Sequence, residues 1–222
     1  MTRGIFIAGN ESPLCRAIEA ETVNRVGQYA AALIPNRFSG ANIDSGFDSE
    51  KRLSIEWNPS SPISARALVL AAENRLEHID DAILVCAPPG FRGSPSALAF
   101  SSVEMMINDH VKGWFFLVKE LATVFKNRER GTLALIYPDI NISTGKDEPA
   151  DLLGSAALAS FRALTSGLLA AAHNESYFTV GFSTTDTGNE SAFASYIFKM
   201  IDDPPKRSNG KMFKFGKFSF FK

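Results

Sequence analysis

Apolar residues along the chain collect into seven short runs, each bounded by polar or turn-forming positions. Several of the runs are continuously apolar and do not alternate, which is typical of strands that are covered on both faces of a sheet. We predict strands at 4–9, 28–35, 52–57, 81–88, 131–138, 176–183 and 211–216.

Between these runs lie five segments that we predict as helices, at 12–26, 62–78, 97–129, 151–173 and 189–202. The third has apolar positions at spacings of three and four, which form one stripe on a helix. The stripe consists of Met106, Ile107, His110, Trp114, Phe115, Val118, Leu121 and Phe125. The exception to the alternation is 36–51, which is polar and rich in glycine and serine and is predicted as a loop.

Strands that alternate with helices over short connections predict an α/β fold. We expect a doubly wound, Rossmann-like sheet of seven mostly parallel strands with helices on both faces. The 222 residues are enough for one domain with a full core and few for two, and no repeat or boundary interrupts them. The prediction is a single domain over 1–222.

The charge pattern argues against two classes of partner. The net charge is −1 with the two signs interspersed, so nothing in it attracts nucleic acid or an anionic membrane. The longest apolar runs, such as 82–89, are too short to span a bilayer, and the first residues lack the features of a secretory signal. We expect a cytoplasmic protein with no nucleic acid or membrane partner.

Two cysteines, Cys15 and Cys86, are present without CxxC spacing or a histidine nearby in the sequence. We expect two reduced, packed thiols and no metal.

Six segments stand in an order that resembles the short-chain dehydrogenase/reductase family over essentially the whole chain. They match the family's first strand and glycine-rich turn, the end of its fourth strand, its long fourth helix, its fifth strand, its catalytic helix and its closing strand. In order they read FIAGNESPLCRAI, ILVCAPPG, INDHVKGWFFLVKEL, GTLALIYP, ALASFRALTSGLLA and SNGKMFKFG. The resemblance implies this family's fold, a nicotinamide cofactor and an Asn-Ser-Tyr-Lys tetrad.

The family's glycine-rich turn is incomplete here, because its three glycines correspond to Gly9, Pro13 and Cys15. Pro13 lacks the N–H that would face a pyrophosphate, and Cys15 adds a side chain where the helix packs on the strand. Ser12 as N-cap and Pro13 at the first helical position still favour a helix. The resemblance leaves Gly9, Asn10, Ser12 and Asn58 as weak cofactor-binding candidates, with Asn58 at the third strand end in place of the family's acidic residue.

By the same resemblance, the tetrad positions hold other residues. His110 takes the place of the asparagine, Pro138 or its neighbour that of the serine, Gly154 that of the tyrosine and Leu158 that of the lysine. Glycine and leucine supply neither an acidic hydroxyl nor an ammonium group. We interpret the chain as a degenerate family member that acts as a non-catalytic binding or structural subunit and has no cofactor.

Two alternatives stay open. In the first, Tyr137, Lys146 and His110 rebuild an active site, and the protein is an NAD(P)-dependent oxidoreductase. His110 is more often a hydrogen-bonded structural residue than a catalytic one in such a position, and the adjacent Asp109 should point elsewhere on a helix. In the second, the cleft serves a small-molecule sensor, with Arg162 binding either a ligand or a carboxylate of another subunit.

The helix at 151–173 has small residues that permit close helix contact. We predict a homodimer or homotetramer formed through helices 97–129 and 151–173 and through the phenylalanine-rich tail 217–222. The contact residues would be Ala156, Ala157, Ala159, Ala163 and Gly167, with Phe161 filling the seam.

Overall fold

The computed structural model describes residues 3–34, 50–91, 94–139, 151–186 and 188–216. Its strands are β1 (Ile5–Asn10), β2 (Tyr29–Ile34), β3 (Arg52–Ser54), β4 (Asp81–Val85), β5 (Thr132–Pro138), β6 (Phe178–Thr184) and β7 (Lys211–Phe215). Its α-helices are α1 (Pro13–Val23), α2 (Pro62–Leu76), α3 (Phe100–Ile107), α4 (Gly113–Arg128), α5 (Leu152–Ala171) and α6 (Glu190–Asp202).

The described strands form one sheet in the order β3-β2-β1-β4-β5-β6-β7. Every neighbouring pair in it is parallel, so the predicted doubly wound α/β architecture is confirmed, with the sheet parallel throughout these residues. The strand order reverses between β1 and β4. In open α/β sheets a ligand crevice forms at such a reversal, beyond the carboxyl ends of the strands.

Helices cover both faces of the sheet, and each face has its own apolar core. On one face α2, α4 and α5 bury large side chains such as Trp114, Phe125 and Phe161. On the other face α1 and α6 bury Ile18, Phe193, Phe198 and their neighbours. The continuously apolar strands are explained by this arrangement, because successive side chains of one strand enter opposite cores.

The predicted helix at 97–129 is interrupted, and its predicted apolar stripe is buried at six of the eight positions, Ile107 and Phe115 being the exceptions. A π-helical turn at Asn108–Lys112 separates α3 from α4. This turn adds a residue to the helical repeat and shifts the buried side from one helix to the next. Ile107 and Phe115 are consequently 41% and 50% exposed, while Asp109 is buried beside His110 and does not point away from the core.

Several other predicted features differ or are confirmed in detail. The third strand ends at Ser54 and is shorter than 52–57, although the Ile55 N–H still donates to the Ala31 carbonyl of β2 at 2.9 Å. The cap at the first helix is as predicted: Ser12 accepts from the Cys15 amide, and Pro13 is the first helical residue. The predicted loop at 36–51 lies outside the described residues except for its last two positions.

Helix α5 corrects part of the predicted subunit contact. Ala157 and Phe161 are buried within the chain, where Phe161 packs edge-on against Trp114 at 5.1 Å between ring centroids. Neither can fill a seam between subunits. Of the predicted contact residues, Ala156, Ala159, Ala163 and Gly167 are exposed.

The segment Leu152–Asn174 is long and apolar enough to cross a membrane by length and composition. Because the same helix supplies Leu158 and Phe161 to the core over the sheet, these two properties are weak indications of a membrane span.

Candidate functional site

Two groups of side chains lie at the carboxyl edge of the sheet, where a crevice is expected. The first, which we term the switch-point group, consists of Gly9, Asn10, Cys15, Ala87 and His110. The second, which we term the Arg162 cluster, consists of Tyr137, Asp139, Arg162, Ser183 and Lys214.

Asn10 ties the end of β1 to the end of β4 and to the π-helical turn. Its Oδ1 accepts the Ala87 N–H at 2.9 Å, and its Nδ2 lies 2.8 Å from His110 Nδ1. A backbone N–H can only donate, so Oδ1 must face Ala87 and the amide group must donate to His110. His110 is therefore neutral with its proton on Nε2. Both side chains are almost fully buried, at 2% and 1% exposure.

Gly9, which resembles the first glycine of the cofactor turn, is covered by a thiol. A methyl group added at Gly9 would lie 2.8 Å from Cys15 Sγ and 3.1 Å from Val85 Cβ. Burial raises the pKa of the Cys15 thiol, and the nearby charge of Glu19 raises it further. The thiol is thus an uncharged packing group that fills the space above the turn.

At the start of α1, one backbone N–H group is already bound by the side chain of the helix cap. The Cys15 N–H donates to Ser12 Oγ at 3.1 Å, and Pro13 has no N–H to offer. Two of the donors that a phosphate would need at a helix start are therefore committed or missing.

The place of the family's tyrosine has no room for a side chain. A methyl group added at Gly154 would lie 2.9 Å from the Pro89 carbonyl oxygen and nearer still to Asp151 Oδ2. Asp151 Oδ1 holds this arrangement, because it accepts the N–H groups of Phe91 and Gly154, each at 2.9 Å. The segment after β4 is in this way fastened onto the first turn of α5.

The remaining candidates are placed as follows. Leu158, at the place of the lysine, is buried in the apolar core. Asn58 is part of the turn before α2, where its Oδ1 accepts from the Ser60 backbone N–H at 3.1 Å and from the Ser60 hydroxyl at 2.7 Å. Lys146 lies outside the described residues, so the predicted pair with Tyr137 is not observed.

Tyr137 is enclosed by aromatic and cationic neighbours. It is 8% exposed, packs edge-on against Phe161 at 6.3 Å and has the Arg162 guanidinium 5.5 Å from its ring centroid. Burial raises the pKa of its phenol, the Asp139 charge raises it further, and Arg162 opposes both. The phenol is therefore protonated at neutral pH and is a poor proton acceptor.

Around Tyr137 lies a polar cluster that sequence reasoning found only in part. Arg162 Nη2 pairs with Asp139 Oδ1 at 2.8 Å, and Lys214 Nζ lies 3.9 Å from Asp139 Oδ2. Ser183 stands directly between Tyr137 and Lys214 in the sheet register. Ser183, Asp139 and Lys214 were not candidates, because only the pairing of β5, β6 and β7 brings them together.

The described parts of the chain contain neither a cluster of metal ligands nor an activated cysteine nucleophile. No three His, Cys, Asp or Glu side chains there converge as metal ligands would. Cys15 and Cys86 are free, buried thiols, as predicted, and burial raises the pKa of Cys86 as well.

No protein-family model and no curated protein matches the sequence. Solved structures do match in fold. A short-chain dehydrogenase from Bacillus anthracis has a TM-score of 0.74 at 13% identity, covering 96% of this chain and 94% of its own. The chain has the short-chain dehydrogenase/reductase fold.

Two further structures support the same assignment. A short-chain dehydrogenase from Mycobacterium smegmatis has a TM-score of 0.72 at 12% identity, covering 97% of this chain and 92% of its own. A short-chain dehydrogenase/reductase from Serratia marcescens has a TM-score of 0.68 at 15% identity, covering 96% and 95%. The predicted fold is confirmed over nearly the whole chain.

Proposed function

We propose that this protein is a short-chain dehydrogenase/reductase that has lost hydride transfer and acts as a binding or structural subunit without a nicotinamide cofactor. The observation that carries the proposal is the lack of space at Gly154. A methyl group added there would lie 2.9 Å from the Pro89 carbonyl oxygen and nearer still to the Asp151 carboxylate, so the packing disfavours a proton-donating side chain at this position. The proposed location is the cytoplasm, as the charge pattern predicts.

Chemical requirements support the loss of catalysis. Reduction of a carbonyl by a nicotinamide needs a group that can give a proton to the developing alkoxide. Tyr137 is a phenol at the right edge of the sheet, but burial and Asp139 raise its pKa, which makes proton loss harder. Leu158 also removes the ammonium that would bind a ribose and lower a tyrosine pKa.

The switch-point group supports the loss of the cofactor. Asn10 and Ser12 use their side chains for internal hydrogen bonds, and the Cys15 thiol covers Gly9. Each missing hydrogen bond to a charged pyrophosphate costs on the order of 1.5–3 kcal/mol, or roughly ten- to a hundredfold in affinity. Several such losses together reduce dinucleotide affinity below a useful level.

The names of the solved neighbours support an oxidoreductase-type fold, so the alternative must be tested directly. Fluorescence of NADH or NADPH should show no enhancement with the protein, and no oxidation should follow addition of ketone substrates. Enhanced nicotinamide fluorescence together with turnover would contradict the proposal and favour an NAD(P)-dependent oxidoreductase with a rebuilt site.

We further propose that the protein assembles as a homodimer or homotetramer through α4 and α5. Support comes from the exposed stripe of Ala156, Ala159, Ala163 and Gly167, and from Phe115 on α4, which is half exposed. The tail 217–222, which we also expect to take part in the assembly, lies outside the described residues.

A charged side chain on the α5 stripe should therefore weaken the assembly. Ala163→Asp is expected to shift sedimentation toward the monomer, because a carboxylate would be buried without a partner. The matched control is Ala192→Asp on the exposed side of α6, across the sheet, which should leave the assembly unchanged. A wild-type protein that sediments as a monomer at micromolar concentration would refute this assembly.

A further inference from the structure

The Arg162 cluster contains buried hydrogen-bond donors that have no acceptor. Ser183 is 1% exposed, and its Oγ has no hydrogen-bond partner among the described residues. Arg162 Nε is buried as well, and it has no hydrogen-bond acceptor in this part of the chain. Asp139 is an ion-pair neighbour of Nη2 without being an aligned hydrogen-bond acceptor.

These donors are on the same side of the sheet. Tyr137, Ser183 and Lys214 are register partners on β5, β6 and β7, and register partners in parallel strands point to one face. Met212, two residues before Lys214, packs near Gly181 on the face that α5 covers. Arg162 projects from α5 onto this row, with its guanidinium over the Tyr137 ring.

The charge of the cluster favours an anion. Arg162 and Lys214 are cations, and Asp139 is the one carboxylate that pairs with either of them among the described residues. The sum is one positive charge. The side chain of Lys214 is 62% exposed, whereas Tyr137 at the other end of the row is buried.

Buried polar groups in native proteins nearly always have partners, so unmet donors indicate an absent acceptor. The acceptor must satisfy a guanidinium edge and a hydroxyl at once. A carboxylate matches this requirement, because its two oxygens fit the planar fork of arginine and accept further hydrogen bonds.

We propose that the Arg162 cluster is a binding site for a small carboxylate. One oxygen of the ligand accepts from Arg162, the other accepts the Ser183 hydroxyl, and Lys214 lies at the entrance. The inference rests on the proposed binding role. The two proposals can fail independently of each other, because dinucleotide binding is tested at the switch-point group and carboxylate binding at Arg162.

The test is titration calorimetry of the full chain with acetate and with benzoate, each compared with its neutral amide, acetamide or benzamide, at constant ionic strength. We expect saturable binding of at least one acid and none of its amide. Equal heats for acid and amide, or no saturable heat with either acid, would overturn the proposal.

Two substitutions locate the binding. Ser183→Ala should weaken carboxylate affinity roughly tenfold or more, because it removes a hydrogen bond to a charged group. Arg162→Lys retains the charge but loses the planar fork, and should weaken affinity to a similar or larger extent. Ser191→Ala and Arg66→Lys, both at exposed helical positions, are the matched controls and should bind as wild type does.

The other possible results with these two variants also test the proposed carboxylate site. If Arg162→Lys does not fold, Ser183→Ala carries the test, since it removes a hydroxyl that has no partner among the described residues. Acid binding that both variants retain would overturn the site. A change of sedimentation in Arg162→Lys without a loss of carboxylate affinity would also overturn it, and would assign Arg162 to a subunit contact.

Discussion

The two groups at the carboxyl edge of the sheet differ in how their polar atoms are satisfied. In the switch-point group, Asn10 is hydrogen-bonded on both sides of its amide, Ser12 caps its helix and Cys15 fills the space above Gly9. In the Arg162 cluster, Ser183 and Arg162 leave donors without acceptors. One end of the crevice is closed by its own side chains, and the other has the composition of a ligand site.

This difference indicates where binding capacity is found in a fold for which we propose the loss of the usual chemistry. A family resemblance directs attention to the glycine-rich turn and the catalytic helix. In this chain those motif positions are packed, and the unmet hydrogen-bonding capacity among the described residues lies at Arg162, further along α5, and at Ser183 on β6. Sites of function are therefore better located by the balance of donors and acceptors than by motif position alone.

The largest expected effect comes from breaking the closed end. Asn10→Ala removes the acceptor of the Ala87 N–H and the donor to His110, both in a buried setting, and should lower the free energy of unfolding by about 2–4 kcal/mol. Denaturant unfolding measures the change. The control is Asn58→Ala in an exposed turn, where the loss should stay near or below about 1 kcal/mol. Equal losses in the two variants would show that the Asn10 bridge does not stabilise the closed end.

The packing at Gly154 gives the next largest effect. Gly154→Ala places a methyl group against the Pro89 carbonyl oxygen and the Asp151 carboxylate, and overpacking of this kind costs about 1–3 kcal/mol. At Gly167 in the same helix, a new methyl group would meet no atom of the described residues within 4 Å, apart from its chain neighbours and the backbone of its own helix. Gly167→Ala should gain about 0.5–1 kcal/mol from helix propensity. Thermal unfolding of the two variants should therefore shift in opposite directions, and a stabilised Gly154→Ala would contradict the closed arrangement.

The smallest effect is expected at the open end. In a buffer free of carboxylates, Ser183→Ala should be neutral or should stabilise the protein by up to about 1 kcal/mol, because it removes a buried hydroxyl that lacks a partner. Denaturant unfolding in buffers with and without acetate sharpens the comparison, since acetate should stabilise wild type and not the variant. A loss of stability in acetate-free buffer would mean that Ser183 has a structural hydrogen bond.

Much of the fold could be predicted from the sequence, because strand burial and helix caps are local properties. The seven strands, the cap at Ser12 and the reduced thiols follow from neighbouring residues alone. The π-helical turn could not be predicted, since nothing in its composition sets it apart from the helices on either side. That turn decides which residues of 97–129 are buried.

The candidate site was predictable only where a single element defines it. The positions that correspond to the family's tyrosine and lysine lie on one helix, so Gly154 and Leu158 could be named from the family resemblance. The Arg162 cluster depends on the register of three strands and on one helix packed over them, and those contacts are long-range. Ser183 in particular gives no signal in the sequence, because a serine in a strand is unremarkable until its neighbours are known.

The most direct test of the account is titration calorimetry of the wild-type protein with NADH and with NADPH. With Pro13 lacking an N–H, Ser12 and Asn10 committed to internal bonds and Leu158 in the core, we predict no saturable binding at micromolar concentrations. A dissociation constant in the low micromolar range for either cofactor would contradict the closed end of the crevice and the proposed loss of hydride transfer with it.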